Sequence, residues 1–459
     1  MRRTVWLLAT LAATLLVACG AAFAQAQPPQ NGGEANRYIV VLDDDVSSSR
    51  NVADAHARSY GATVTTIYSH ALNGYAAKVS EEGLRGIRQD PRVDFVQQDY
   101  VQHAFDDELP TGVNRIDGEL SPTAKIDING IDERVDANVA VIDTGINKTH
   151  PDLNVAGGRN FATFFSSNDN YEDGNGHGTH VAGTIAALDN NYGAVGVAPG
   201  AKLYGVKVLS NSGTGWASWI IKGIDWVTGR KAEFKDGNMD GDAGIDFAVA
   251  NMSLGGSGTD GSCGSDAYHK AICNSVAAGV TYAVAAGNSN ADLQNFVPAT
   301  YSEVLTVTAV SDSDGNPGGT GAPPSCRSGE KDDYAATFSN YATLLADQEH
   351  TIAAPGVCIY STWTSGGYNT ISGTSMASPH VAGTAALCIA SGQCKRDTNG
   401  DGTPDTVMTP SQVISKLRSD AATKTNGDSS TSGYYGFKGD PNTPNGTRYY
   451  GFLEYAGGY

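Results

Sequence analysis

The chain has 459 residues, and its 56 glycines and 17% charged residues are typical of a loop-rich globular protein and not of a disordered one. Acidic residues outnumber basic residues 49 to 30, and the net charge of -19 argues against nucleic-acid binding, because phosphates require a basic surface. The negative charge either favours cationic partners such as calcium or simply keeps the protein soluble.

The N-terminus has the pattern of an export signal. Arg2 and Arg3 precede an apolar stretch of about 15 residues, and Ala22-Phe23-Ala24 supplies small residues for cleavage. We therefore predict a signal peptide over residues 1–24 and an extracellular, secreted protein. The alternative is a lipid anchor through Cys19, since Leu16-Val17-Ala18-Cys19 resembles the lipobox of bacterial lipoproteins. No other stretch of the sequence is long and apolar enough to predict a membrane span.

Six cysteines remain after the signal peptide, and an even number in an exported chain favours disulfides. The sequence leaves their pairing open. Neighbours paired in order would close short surface loops, which is the pairing we predict. The six are Cys263, Cys273, Cys326, Cys358, Cys388 and Cys394.

Two units follow the signal peptide. Residues 25–36 are rich in Gln, Pro and Gly and predict a linker. Residues 37–105 read as strand, helix, strand, helix, strand, which predicts a small α+β unit. Residues 106–459 alternate short apolar runs with helical stretches, which predicts an α/β domain with a mostly parallel central sheet flanked by helices. In such a sheet, function lies at the carboxyl ends of the strands.

Three segments place reactive side chains at such positions. VIDTG ends a strand at Asp143, NGHGTHVAG opens a helix at His177, and GTSMASPHVAG opens another at Ser375. Acyl transfer needs a hydroxyl nucleophile, an imidazole base and a carboxylate that orients the imidazole, and these residues supply one of each. Each alone could be a helix cap or a turn residue. Their order, Asp before His before Ser, differs from that of chymotrypsin and of the α/β-hydrolases.

These segments, together with VAAGN ending at Asn288 and NMSLGG around Ser253, resemble the subtilisin-like serine proteases over most of residues 110–420. The resemblance implies a subtilisin-like three-layer domain and a serine endopeptidase with Asp143, His177 and Ser375 as its triad. It also implies that Asn288 and the backbone N–H of Ser375 bind the oxyanion.

The same resemblance implies how the substrate binds. An extended polypeptide would pair as a strand along Gly213 and Gly215 on one side and along Ser253, Leu254 and Gly255 on the other. Selectivity would then come from side-chain pockets. Trp216 and Leu254 are candidate walls of an apolar pocket, although Trp216 could equally be a core residue of the following helix.

The small unit, closing in VDFVQQDYVQHAF, resembles the propeptide of subtilisin-like proteases. This implies a self-processing zymogen whose own propeptide acts as intramolecular chaperone and inhibitor, with cleavage between residues 103 and 109. A slow-folding parallel sheet would benefit from such a template. The alternative is an independent small domain.

DTNGDGTPD, residues 397–405, offers oxygen ligands at alternating positions around a glycine turn, which is typical of a structural calcium site. The alternative is a solvated acidic turn. Residues 236–246 repeat the pattern more weakly, with calcium and a solvated loop equally favoured. HGTH has two histidines but lacks the glutamate of zinc hydrolases. The predicted calcium ligands are Asp397, Asn399, Asp401, Thr403 through its carbonyl, and Asp405.

The resulting hypothesis is a monomeric, secreted serine endopeptidase that needs no cofactor for catalysis. Two other functions remain open: a catalytically silent calcium-binding surface protein on a protease scaffold, and an esterase that tolerates peptides. A silent protein would be expected to have lost at least one of the triad residues or Asn288. The Gly- and Tyr-rich residues after about 425 carry no interpretable motif and are expected to wrap the surface.

Overall fold

The structure is a computed structural model that describes residues 36–99, 108–126, 132–163, 168–236, 244–398, 405–427 and 434–459. These residues form two compact units, one within residues 36–99 and one within residues 108–459. The predicted signal peptide lies outside the described residues, and so does the predicted linker except for Asn36. In the described ranges, every helix is too short or too polar to cross a bilayer.

The small unit is a four-stranded antiparallel sheet with strand order β2-β3-β1-β4 and two helices. Helix α1 begins after Ser48, whose hydroxyl accepts a hydrogen bond from the backbone N–H of Asn51, and ends at Gly61 in the left-handed conformation. The stretch expected to be one central strand is a hairpin of two strands. The elements are β1 (Arg37–Leu42), α1 (Ser49–Tyr60), β2 (Thr63–Ser69), β3 (Asn73–Lys78), α2 (Glu81–Arg88) and β4 (Val93–Gln98).

The large unit is built on one extended sheet. Its strands, and the short hairpin strands around them, are β5 (Asn138–Asp143), β6 (Val155–Asn160), β7 (Lys202–Lys207), β8 (Phe247–Met252), β9 (Gly256–Ser257), β10 (Thr281–Ala285), β11 (Phe296–Val297), β12 (Leu305–Ser311), β13 (Tyr334–Ala335), β14 (Thr351–Pro355), β15 (Ile359–Thr362), β16 (Tyr368–Ile371), β17 (Lys395–Arg396) and β18 (Thr406–Val407). Its α-helices are α3 (Thr111–Arg115), α4 (His177–Ala186), α5 (Ala217–Asp236), α6 (Ala267–Ala278), α7 (Leu345–Gln348), α8 (Thr374–Ala390) and α9 (Pro410–Gly427).

The sheet confirms the predicted α/β architecture. Seven strands are parallel in the order β14-β12-β10-β8-β5-β7-β6, and only β13 joins antiparallel, at the end of β12. The apolar runs of the sequence predict five strands, ANVAVIDTG, AKLYGVKVL, DFAVANMSLGG, GVTYAVAAGN and EVLTVTAV, and all five are present as β5, β7, β8, β10 and β12. Strands β6 and β14 were not predicted, since VAGGRN has too few apolar residues and TIAAP ends in proline. The strand order reverses between β5 and β8, where a crevice is expected at the carboxyl ends.

Successive side chains of β5 pack into two different cores, one on each face of the sheet, which shows why the domain has three layers. Val139 and Val141 pack into the core that contains α4, α8 and α9, whereas Ala140 and Ile142 pack into the core that contains α5 and α6. Both faces of the sheet are therefore covered by helices, which explains why the central strands are apolar at nearly every position.

The C-terminal segment differs from its predicted role. Residues 434–459 do not merely wrap the surface, because their aromatic side chains are buried in the core on the α8 face of the sheet. The glycines between them make the segment look loop-like in the sequence, but its aromatic spacing supplies core volume. The buried residues are Tyr435, Phe437, Tyr450, Leu453 and Tyr459.

The predicted sequential pairing of the cysteines is confirmed. Disulfides join Cys263 to Cys273, Cys326 to Cys358 and Cys388 to Cys394. Each closes a loop of the large unit, with sequence separations of 10, 32 and 6 residues.

Candidate active site

Asp143 and His177 are brought together although 34 residues separate them. Asp143 is the last residue of β5 and is fully buried, and its Oδ1 lies 2.8 Å from Nδ1 of His177 at the start of α4. The same oxygen accepts the backbone N–H of Thr144 at 2.7 Å. Because the carboxylate accepts the Nδ1 proton, the Nε2 atom of a neutral His177 is free of its proton and can act as a base.

Asp173 holds the start of α4 in place, a role that was not predicted from the sequence. Its Oδ1 accepts the backbone N–H groups of Asn175 and Gly176 at 2.9 Å each, and its Oδ2 accepts the N–H of Thr179 at 2.9 Å. Gly176 has a φ of 107°, which favours glycine at the residue that precedes His177. Asp173 therefore fixes the backbone from which the imidazole projects.

Burial lowers the pKa of His177, but the charge of Asp143, the hydrogen bond that His177 donates to it and the charge of Asp173 outweigh that effect. The net result is a raised pKa. The side chain of His177 keeps 25% of its surface exposed, so the imidazole can meet a substrate.

His180 has a different environment from His177. Its Nε2–H donates to the carbonyl oxygens of Ile359 and Asn369 at 3.0 and 3.2 Å, and burial lowers its pKa to about 3. The two histidines of HGTH do not stand together in a potential metal-ligand group within the described ranges.

Ser375 is the second residue of α8 and is hydrogen-bonded to Ser253, which follows β8. Its hydroxyl donates to the carbonyl oxygen of Ser253 at 3.2 Å, and the hydroxyl of Ser253 donates to the carbonyl oxygen of Ser375 at 2.7 Å. Asn251 donates to the Ser253 hydroxyl at 3.0 Å and accepts from Ser378 at 2.7 Å. The start of α8, with the positive end of its dipole, therefore lies beside the segment after β8.

Asn288 lies after β10, beside the backbone of Ser375. Its Oδ1 accepts two hydrogen bonds from Thr374, one from the backbone N–H at 2.8 Å and one from the hydroxyl at 2.9 Å. A methyl group added to Gly373 would lie 3.4 Å from Nδ2 of Asn288 and 3.6 Å from the backbone nitrogen of Ser375. These two donors therefore border a common space, and Thr374 orients the first of them.

A cleft of about 370 Å³ opens at the carboxyl ends of β5, β7 and β8. It is lined by all five residues expected to pair with the substrate as a strand. The lining residues include His177, Gly213, Gly215, Ser253, Leu254 and Gly255, together with Leu209 and Ile220.

Trp216 is not a core residue of α5, because 63% of its surface is exposed. It does not line the cleft either, whereas Leu254 does. The apolar surface inside the cleft comes from Leu254, Leu209 and Ile220.

The predicted calcium loop is described only at its edges. Asn399, Asp401 and Thr403 lie outside the described residues, and so do the central residues of the weaker loop over 236–246. Asp405 accepts hydrogen bonds from the backbone N–H and hydroxyl of Thr398, which lower its pKa.

A second acidic group was not recognised in the sequence. Carboxylate oxygens of Asp312, Asp314 and Asp332 lie within 4.8 Å of one another and could hold a metal ion. Asp312 and Asp332 also accept backbone N–H groups of their own loop, from Gly315 and Gly321 among others.

Comparison with known proteins identifies the family of this chain. The model of the subtilase family of peptidases matches residues 136–437, and that of peptidase inhibitor I9 matches residues 37–104. The chain belongs to the subtilase family. This subtilase is 35% identical to subtilisin E of Bacillus subtilis over 393 residues, which covers 84% of this chain and 89% of the relative. It is 37% identical to a cuticle-degrading protease of Metarhizium anisopliae over 362 residues, covering 78% and 80% of the two chains.

Among solved structures, that of a cold adapted subtilisin-like serine proteinase is 31% identical and covers 74% of this chain and 97% of its own, with a TM-score of 0.48. The family membership rests on the family model and the curated relatives. This subtilase is accordingly a subtilisin-type serine protease that carries its own propeptide of the inhibitor I9 type.

Proposed function

We propose that this subtilase is a secreted serine endopeptidase, made as a self-processing zymogen, that cleaves peptide bonds through an acyl-enzyme on Ser375. The observation that carries the proposal is the pairing of Asp143 with His177 at 2.8 Å beside a cleft whose edge at Ser253 is hydrogen-bonded to Ser375. A carboxylate, an imidazole and a hydroxyl in this arrangement support nucleophilic acyl transfer.

In the first step, the Oγ of Ser375 leaves the carbonyl of Ser253, attacks the scissile carbonyl carbon and gives its proton to Nε2 of His177. The imidazolium that forms is stabilised by Asp143 and passes the proton to the leaving amine. A water molecule then enters, gives its proton to His177 and attacks the acyl-enzyme, which releases the acid product and restores the serine.

The oxyanion of each tetrahedral intermediate would be bound by Nδ2 of Asn288 and the backbone N–H of Ser375. Support comes from Thr374, whose two hydrogen bonds to Oδ1 fix the orientation of the Asn288 amide, and from the Nδ2 group and the backbone nitrogen of Ser375, which border the same space beside Gly373. The positive end of the α8 dipole adds to the favourable field.

The substrate would bind as an extended strand between residues 213–215 and 253–255. Within the described part of the chain, the backbone groups of Leu254 and Gly255 have no hydrogen-bond partner, although both residues line the cleft. Unpaired backbone groups at a cleft edge suit strand addition, which binds main chain and is tolerant of sequence. Leu254 and Ile220 favour an apolar substrate side chain in this part of the cleft.

Residues 37–105 would serve as intramolecular chaperone and inhibitor until cleavage between residues 103 and 109. The I9 match over residues 37–104 supports this role.

Structural calcium in the loop over 397–405 is part of the same proposal. Subtilases commonly bind calcium, and the described end of this loop keeps Asp405 ionised through hydrogen bonds from Thr398. An ionised carboxylate is the ligand that calcium prefers. If calcium binds this loop, Asp401→Ala should lower the unfolding temperature measured in the presence of calcium and leave the unfolding temperature measured in the presence of a chelator unchanged. A solvated turn would give the same small effect in both.

The main test expresses the full chain and Ser375→Ala in parallel, with Ser419→Ala, an exposed serine on α9, as the control. Intact-mass analysis follows loss of the propeptide, and a casein assay follows proteolysis. We expect wild type and the control to lose about the first 105 residues and digest casein, while Ser375→Ala keeps its propeptide and is inactive. If Ser375→Ala behaves as wild type does, the acyl-enzyme proposal fails and a catalytically silent scaffold becomes the better explanation.

A further inference from the structure

A group of metal-ligating side chains lies on the α6 side of the sheet, in residues that the proteolytic mechanism does not use. His269 and Cys273 are four residues apart on α6 and therefore lie on one face of the helix. Cys263 precedes the helix, and Glu303 precedes β12. One ligand atom from each of the four side chains lies within 4.8 Å of all the others.

The distances suit a tetrahedral site. Ligands at the usual zinc distances are separated by about 3.3 to 3.8 Å along the edges of the tetrahedron. The Sγ atom of Cys263 lies 3.6 Å from Oε1 of Glu303, and Nε2 of His269 lies 2.7 Å from Oε2 of Glu303. The first of these separations falls within that range. The His269–Glu303 hydrogen bond is shorter and would have to lengthen around a cation, and the sulfur atoms of Cys263 and Cys273 are bonded to each other in a disulfide.

His269 is oriented as metal-binding histidines are. Its side chain is only 4% exposed, and its ring stacks on Tyr301 at 3.9 Å between centroids with an interplanar angle of 6°. Its Nδ1 atom has no hydrogen-bond partner in the described residues and lies 3.4 Å from Oδ1 of Asp260. A histidine that binds a metal through Nε2 usually offers its Nδ1 proton to such a carboxylate.

The geometry points to a redox-dependent zinc site: when Cys263 and Cys273 are thiols, they bind a thiophilic divalent cation together with His269 and Glu303. A dithiol reductant gives the disulfide two electrons and two protons and becomes a disulfide itself, whereas a phosphine gives the two electrons, takes the oxygen of a water molecule to become the phosphine oxide, and leaves the two protons of that water on the thiols. Binding of the cation then displaces both thiol protons, and the four ligands carry three negative charges against the two positive charges of the ion. Oxidation by a small-molecule disulfide would reverse the sequence, re-form the Cys263–Cys273 bond and release the cation.

The other two disulfides provide an internal contrast. Of the residues that the structure describes, neither Cys326–Cys358 nor Cys388–Cys394 belongs to a group with histidine or carboxylate ligands. Two thiolates with an imidazole and a carboxylate form a ligand set that favours zinc over calcium or magnesium. Of the three pairs, only Cys263 and Cys273 are therefore expected to bind a metal ion once their disulfide is reduced.

The experiment uses the full chain carrying Ser375→Ala, so that no self-digestion occurs and the outcome is independent of the proposed proteolysis. The protein is reduced with a phosphine, transferred without oxygen into buffer free of reductant and titrated with Co²⁺. We expect one equivalent to bind, with the visible bands of tetrahedral cobalt and a thiolate charge-transfer band, and Zn²⁺ to displace it. The oxidised protein should show none of these bands.

Variants that keep the disulfide separate a built site from simple thiol binding. Glu303→Gln should weaken Co²⁺ binding by more than about 10-fold, and Asp260→Asn by about 10- to 100-fold. Cys263→Ser with Cys273→Ser should abolish the charge-transfer band, while the matched control, Cys326→Ser with Cys358→Ser, should leave binding unchanged. Equal binding by wild type and Glu303→Gln, or absence of the band in reduced wild type, overturns the proposal.

Discussion

Replacement of Thr374 by valine tests whether this residue orients Asn288 for catalysis. Thr374 is fully buried, and its hydroxyl accepts the backbone N–H of Gly287 at 3.0 Å while it donates to Oδ1 of Asn288 at 2.9 Å. Valine has nearly the same shape but lacks both interactions. The backbone N–H of residue 374 would still donate to Asn288.

The expected loss follows from the number of bonds removed. Loss of a whole oxyanion donor costs about 10²- to 10³-fold in turnover, a range established for the asparagine of subtilisin itself. Thr374→Val removes one of two bonds that orient Asn288, and one neutral hydrogen bond contributes about 0.5 to 1.5 kcal/mol. We therefore expect kcat to fall by about 2- to 10-fold with little change in KM. Stability should fall by about 1 kcal/mol, since Gly287 loses its acceptor.

The assay measures kcat and KM on a peptide substrate for wild type, Thr374→Val, Thr374→Ser and Asn288→Ala, and for the double variant Thr374→Val with Asn288→Ala. Thr374→Ser retains the hydroxyl and should keep most of kcat. In the double variant, the valine should cost nothing further, because its effect passes through Asn288. An unchanged kcat in Thr374→Val, or a full additional loss in the double variant, would refute the reasoning and leave Thr374 a structural residue.

Three further predictions concern pH and oxidation. The charge of Asp173 raises the pKa of His177, and His177 must be neutral to act as a base. Asp173→Asn should therefore move the acid limb of the kcat/KM profile to lower pH, whereas the control Asp169→Asn, at an exposed residue, should leave it in place. An acid limb that does not move in Asp173→Asn contradicts this prediction. Burial raises the pKa of Asp312 from 3.8 to about 7, so its contribution to stability is fully present below pH 3.8 and is lost as the pH rises through about 7. Between pH 3.8 and about 7, the unfolding temperature of wild type should therefore fall relative to that of Asp312→Asn. Unfolding temperatures that change in parallel with pH in the two proteins would contradict this prediction. Peroxide should lower turnover by converting Met376 to its sulfoxide, since this side chain, 1% exposed, lies beside the nucleophile. Unchanged turnover after oxidation at Met376 has been confirmed by mass spectrometry would refute this prediction.

Much of the candidate site could be predicted because its chemistry is carried by residue types in short segments. Asp143, His177 and Ser375 each follow a strand or open a helix that is visible in the apolar pattern, and the cleft residues are marked by glycines near strand ends. The five central strands were predictable for a similar reason, since a sheet covered on both faces needs apolar side chains at nearly every position.

Other residues gave no local signal. Asp173 looks like any loop aspartate, although its bonds to the start of α4 are local. Thr374 stands between two residues with more evident roles, and its contact with Asn288 joins residues 86 positions apart. Strand β14 and the buried aromatics after residue 434 were missed because their burial depends on what packs over them. Short-range pattern carries no information on such contacts.

The sequence by itself determined the order of the reactive residues, the family resemblance they carry and the parallel sheet that presents them, because each depends on local residue type and period. Only the tertiary structure decided which distant groups meet. It brought Asp173 to the hydroxyl of Thr144, Thr374 to the amide of Asn288, and Glu303 to His269 beside a disulfide. Those pairings are separated by up to 86 residues, and their distances are fixed by the packing of helices on the sheet.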